Sequence, residues 1–166
     1  MAGNLTEVMV AADTYQVSPR PVLLTADLCA ALAVCMHDER RAVGGLLHLP
    51  SSGAGASPKD LTDNTLSCVL IVLERFKRAV LGNAPRGDEV RVRIIAHAPP
   101  SADPDLPSAS LADLIKADLA DAGFGCGTRV LPCAQPVRVH FEPFTGRVWL
   151  AGADDGKAGT FKRSHL

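Results

Sequence analysis

An excess of charge of either sign is missing from this chain of 166 residues. Seventeen Lys and Arg stand against 18 Asp and Glu, a formal net charge of −1. So even a balance argues against the broad basic footprint that nucleic acid or an anionic membrane selects. Long hydrophobic runs are also missing, and no stretch reaches the ~20 apolar residues of a membrane-spanning helix. Met1 to Val10 carries Glu7 and no basic region, so no secretory leader is expected there. Five cysteines (Cys29, Cys35, Cys68, Cys126 and Cys133) form an odd set without a CxxC, which argues against a disulfide framework and for free thiols. No His or Cys pair has compelling metal-ligand spacing, and no metal or cofactor is expected. These absences lead to a cytoplasmic protein with no membrane insertion and no nucleic-acid partner. What is there is an apolar content of 47%, enough to bury a real core in one domain over residues 1–166, with a polar tail from about residue 152.

Hydrophobic periodicity sets out the elements. Glu7 to Ala12 is a first short strand. Ser18-Pro19-Arg20-Pro21 is a turn, because paired prolines block helix and central strand alike. Val22 to Leu24 is a strand. Leu32, Val34 and Met36 alternate before the charged turn Asp38-Glu39-Arg40-Arg41, and Val43 to Leu49 follows, which reads as a hairpin. Ser51 to Pro58 is loop. Leu66, Val69, Leu70, Leu73, Phe76 and Val80 recur at helical spacing, with Thr62 or Asp63 as cap and Gly82 as stop. Glu89 to Ala96 alternates as a half-solvated strand, with Arg91 and Arg93 outward. The proline-rich run Ala98 to Pro107 is loop. A second helix starts at Ser110, carries Leu111, Leu114, Ile115, Leu119 and Ala122, and ends at Gly123. Val137 to Phe141 and Arg147 to Leu150 form a last hairpin, with His140 facing solvent. Strands and helices do not alternate strictly, so the fold class is α+β.

The segment with most chemistry is Val22-Leu23-Leu24-Thr25-Ala26-Asp27-Leu28-Cys29-Ala30-Ala31-Leu32-Ala33-Val34-Cys35-Met36-His37-Asp38. It leads to Val43-Gly44-Gly45-Leu46-Leu47-His48-Leu49-Pro50. This resembles the CheD family, the chemoreceptor glutamine deamidases. That family has a threonine, a Gly-Ser-Cys element, a strand ending near Cys-(Leu/Met)-x-Asp, and a Gly-Gly…His followed by Leu-Pro. Anchored on Val34-Cys35-Met36-x-Asp38, the match needs no gap from Thr25 to His48. The resemblance runs from about Val8 to Trp149. It weakens at Leu61, where the family has tyrosine, at Ala96-His97-Ala98, where it has glycines, and at Cys133 to Pro136.

The resemblance implies a mixed β-sandwich core with two main helices on one side, related to the cytotoxic necrotising factor type of cysteine hydrolases. It implies His48 as general base, Thr25 as orienting group, and a nucleophilic cysteine at the position held here by Ala31. Deamidation of glutamine by such an enzyme needs a thiolate to attack the carboxamide and a histidine to move the proton. Ala31 has no thiol, so the chain reads as a deamidase homologue that binds rather than reacts. The implied partners are a chemoreceptor cytoplasmic region and a CheC-type phosphatase. A second reading makes Cys29, two residues earlier, a shifted nucleophile for His48. A third makes the chain a small-ligand-binding relative of the fold.

Overall fold

The computed structural model describes residues 3–50, 63–82, 89–97, 107–131 and 135–152. Nine strands and two helices follow one another in these residues: β1 (Thr6–Met9), β2 (Thr14–Ser18), β3 (Val22–Leu28), β4 (Ala31–Asp38), β5 (Val43–Pro50), α1 (Asp63–Leu81), β6 (Val90–His97), α2 (Pro107–Asp121), β7 (Cys126–Leu131), β8 (Val137–Glu142) and β9 (Arg147–Gly152). The architecture is α+β, mostly strand. The loop and tail expected at Ser51 to Pro58, at 98–106 and beyond 152 lie outside the described residues.

The strands form two sheets. One has the order β1-β3-β8-β9, the other β2-β5-β4-β6-β7. Strand β4 sits at the centre of the five-stranded sheet and is buried along its whole length, which explains an apolar run on both faces rather than strict alternation. Its two faces feed two cores. Leu32, Val34 and Met36 pack with Leu47, Leu49, Val92 and Ile94 under the helices. Ala31, Ala33 and Cys35 pack with Leu46 and Ile95 against Leu24, Ala26, Leu28, Val139 and Phe141 of the other sheet. The layers are therefore sheet, sheet and helices, with both helices on one side.

The hairpin expected from Leu32 to Leu49 is β4 with β5, in antiparallel register from Ala31↔Pro50 to Asp38↔Val43. Its Gly44-Gly45 pair is demanded by packing on both faces. A Cβ at Gly44 would lie 2.7 Å from the Pro143 carbonyl oxygen, and one at Gly45 would lie 2.7 Å from the Phe76 ring. Phe76 belongs to α1, whose buried stripe is Leu73, Phe76, Val80 and Leu81. Leu70, expected in that stripe, is 36% exposed instead. Gly82 ends the helix with a left-handed φ of 64°, its N–H donating to the Arg78 carbonyl at 2.9 Å.

Three expectations need correction. Helix α2 begins at Pro107, ahead of Ser110, because the fixed φ of proline suits the first helical position. Its buried residues are Leu111, Ala112, Ile115 and Leu119, while Leu114 faces outward. Strand β6 is half-solvated only at its start: Ile95 and His97 are fully buried because β6 lies between β4 and β7. Strands β2 and β7 were not expected. Both are sheet edges with weak apolar patterns. Among the described residues no helix is long and apolar enough to cross a membrane.

Candidate active site

The site lies at the end of the sandwich where β3 crosses into β4. His48 sits on β5 opposite Ala33, on the same strand face as Leu46, which points between the sheets. The residue is 7% exposed. Its Nδ1 lies 2.9 Å from the Val10 carbonyl oxygen. A carbonyl only accepts, so Nδ1 carries the proton and Nε2 is left as the basic nitrogen. No described group hydrogen-bonds Nε2. The segment between β1 and β2 thus clamps His48 twice, since the Asp13 N–H also donates to its main-chain carbonyl at 2.9 Å.

Ala31 is the diagonal neighbour of His48 on this inner face, two pairs along the ladder from Ala33. Diagonal positions in an antiparallel pair stand about 7 Å apart, within reach of a longer side chain. The methyl of Ala31, 3% exposed, offers no atom for attack or for a hydrogen bond. Among the described residues no thiol or hydroxyl side chain hydrogen-bonds the His48 ring.

Cys29 and Ala30 form the turn between the sheets. Ala30 has a φ of 48°, which breaks the strand alternation that would set Cys29 on the face of Ala31. Cys29 is exposed and free, and among the described residues its thiol makes no hydrogen bond to His48. Cys35 is sealed in the inter-sheet core, and burial pushes its thiol up to about 12. It cannot supply a thiolate.

Thr25 is fully buried, but its side chain is on the other face of β3 from Leu24 and Ala26. Its Oγ1 donates to Glu7 Oε1 at 3.3 Å and lies 3.6 Å from Met9 Sδ. The structure does not bring this hydroxyl to His48. The connection runs through main chain: the Val10 N–H donates to the Thr25 carbonyl at 2.7 Å, and the Val10 carbonyl holds the imidazole. The observed orienting group is thus a carbonyl oxygen, which no side-chain pattern in a sequence can announce.

His97, at the end of β6, flanks Ala31 from the other side. Leu32 pairs with Ala96, so Ala31 and His97 are the next positions along the two strands. His97 Nδ1 accepts the Ala30 N–H at 2.9 Å, and Nε2 donates to the Gln135 carbonyl at 2.9 Å. Both nitrogens are engaged, so His48 is the flanking histidine with a nitrogen to spare. His37 does a third stitching job: its Nδ1 donates to the Pro143 carbonyl at 2.9 Å, and Gly146 packs against its ring.

His140 lies on the outer face of its sheet, opposite Val139 as expected, but it is half-buried there rather than open to solvent. It stacks on Trp149 with ring centroids 5.4 Å apart and planes 4° from parallel. Its Nδ1 is buried without a protein partner, and burial holds the imidazole below its ordinary range. Next to it Arg138 donates two hydrogen bonds to Asp27, at 2.6 and 3.0 Å. Those bonds hold the Asp27 carboxyl below the usual range. Among the described residues no three His, Cys, Asp or Glu side chains converge on a metal-binding arrangement. A shallow cleft lined by Lys77, Leu81 and Phe124 lies on the helical side of the five-stranded sheet, away from the face that carries His48.

With this geometry in hand, the comparison with known proteins has a clear subject. The chain is similar to a CheD protein. It is 25% identical over 136 residues to a probable chemoreceptor glutamine deamidase CheD from Rhodopseudomonas palustris strain BisA53. The match covers 82% of this chain and 64% of that relative's length. No family model matches the chain. The similarity supports a CheD-like relationship.

Proposed function

We propose that this chain is a CheD-type sandwich, of the cysteine-hydrolase fold shared with cytotoxic necrotising factors, that binds a chemoreceptor cytoplasmic region without deamidating it. One observation carries the reading. His48 is oriented through Nδ1, and among the described residues its Nε2 has no hydrogen-bond partner, while the neighbouring position that would need a thiol is Ala31. An acyl-enzyme needs a nucleophilic atom, and orientation cannot replace one: loss of the nucleophile in comparable hydrolases costs about six decades in turnover. The relative's name supports the chemoreceptor as partner; a CheC-type phosphatase as a second partner and a cytoplasmic location follow from the family resemblance of the Thr25 to Pro50 motif alone. Of the residues at this end of the sandwich, Cys29 is the exposed one, and its turn belongs to the surface that meets the receptor.

A titration of the full chain with a chemoreceptor cytoplasmic fragment tests the binding half of the proposal. Saturable binding is expected, of equal strength for the native chain and for Ala31→Cys, since one buried methyl contributes no contact. Absence of binding by the native chain contradicts the proposal. The exposed thiol of Cys29 in the same turn favours one alternative, a deamidase with a shifted nucleophile, and the variant Cys29→Ala separates the two.

A further inference from the structure

We infer that His97 is a positioning residue: it locks the turn between the two sheets and so fixes where residue 31 stands relative to His48. Three observations carry this. The ring is fully buried, at 0% exposure, so water cannot take over either of its bonds. It sits on β6 of the five-stranded sheet, yet both of its nitrogens hold main chain at the border with the other sheet: the Ala30 N–H in the turn after β3, and the Gln135 carbonyl ahead of β8. The residue it grips, Ala30, has a left-handed φ of 48°, a conformation that L-residues with a Cβ adopt only when their surroundings hold them.

The hydrogen bonds also fix the ring chemically. Nδ1 faces an N–H and must accept, and Nε2 faces a carbonyl and must donate, so the proton is on Nε2. His48 has the opposite arrangement, with its proton on Nδ1 toward the Val10 carbonyl. Two histidines flank one alanine with opposite tautomers. One offers a basic nitrogen, and the other spends both nitrogens on holding the backbone.

The test uses the full chain, labelled for NMR. Long-range proton–nitrogen spectra report the ring tautomers, and amide exchange reports the Ala30 N–H. The expected native result is a proton on Nε2 of His97 and on Nδ1 of His48. In His97→Asn the side-chain oxygen takes the place of Nδ1, so Ala30 exchange should stay within about threefold of native; in His97→Phe, which keeps volume and loses the acceptor, it should rise about tenfold. Amides of Val34 and Leu47 should be unchanged in both. A native proton on Nδ1 of His97 would overturn the inference, and this reading requires no variant to fold. So would unchanged Ala30 exchange in His97→Phe, or equal loss in the Asn and Phe variants. A further arm rests on the proposed site. The thiol introduced by Ala31→Cys should be alkylated by iodoacetamide about tenfold more slowly when His97→Phe is added, and at the parent rate when His97→Asn is added. Equal rates in all three would show that His97 does not position residue 31. None of these readouts involves a receptor or deamidation, so failure of the proposed function leaves them intact.

Discussion

Among the described residues, each buried histidine has its proton placed by main chain, and the cysteines differ in depth. Cys29 and Cys68 are exposed, whereas Cys35 is buried with its thiol pushed up to about 12. Site-resolved mass spectrometry after brief alkylation near neutral pH should find Cys29 and Cys68 modified and Cys35 intact; modification of Cys35 in the folded chain would contradict the packing between the sheets. His140 makes a pH prediction. Burial disfavours its charged form and outweighs the nearby Glu7, so its folded value lies below the ordinary 6.5. The unfolded chain then binds more protons in the window below 6.5, and protonation favours unfolding. The stability His140 allows is therefore complete above 6.5 and declines as pH falls through that window. In His140→Phe, which keeps a ring against Trp149, urea midpoints should decline less over the same window, and an identical decline would contradict the assignment. His48 could be singled out from the motif alone, because its neighbours in sequence follow a known pattern. Its orienting partner could not, because a carbonyl oxygen of Val10 carries no residue type. His140 was read onto the right face, opposite Val139, but its partial burial against Trp149 was not legible, because alternation places a residue on a face without saying what covers that face.

At the scale of elements, β5 and α1 depend on each other through the glycine pair. Gly45→Ala drives a methyl into Phe76, Val17 and the Gln16 carbonyl, all within 2.9 Å. The strand cannot move away, because it is paired on both sides by β2 and β4. Overpacking of this kind costs roughly 1–3 kcal/mol, and denaturant unfolding of Gly45→Ala should show a loss in that range. Phe76→Ala removes the opposite partner and should cost about 3–5 kcal/mol by the same measurement. A change below about 1 kcal/mol in either variant would mean that α1 does not seat there as described. The long periodic elements, α1 and the β4–β5 hairpin, were legible because their burial is decided by local spacing. Strands β2 and β7 were not. Their partners, β5 and β6, lie far along the chain, and neither edge strand has a fully buried residue, so the local apolar pattern carried little signal. The start of α2 was placed too late because proline was read as a breaker, when at the first helical position it is compatible with the helix.

For the molecule as a whole, the apolar core between the two sheets is supplemented by histidine hydrogen bonds to main chain in the connections. His37 ties the β8–β9 turn to β4, His48 ties the β1–β2 segment to β5, and His97 ties the β3–β4 turn to β6. Two of these ties meet on either side of Ala31. On the proposed reading, this end of the sandwich presents a methyl where a reacting side chain would stand. That is the central claim, and mass spectrometry of a chemoreceptor cytoplasmic fragment tests it most directly. The fragment is incubated with the native chain, with Ala31→Cys and with Cys29→Ala, and conversion of glutamine to glutamate is followed. The account predicts no conversion by the native chain or by Cys29→Ala, and a gain with Ala31→Cys. Conversion by the native chain that disappears in Cys29→Ala would contradict it and make Cys29 the nucleophile.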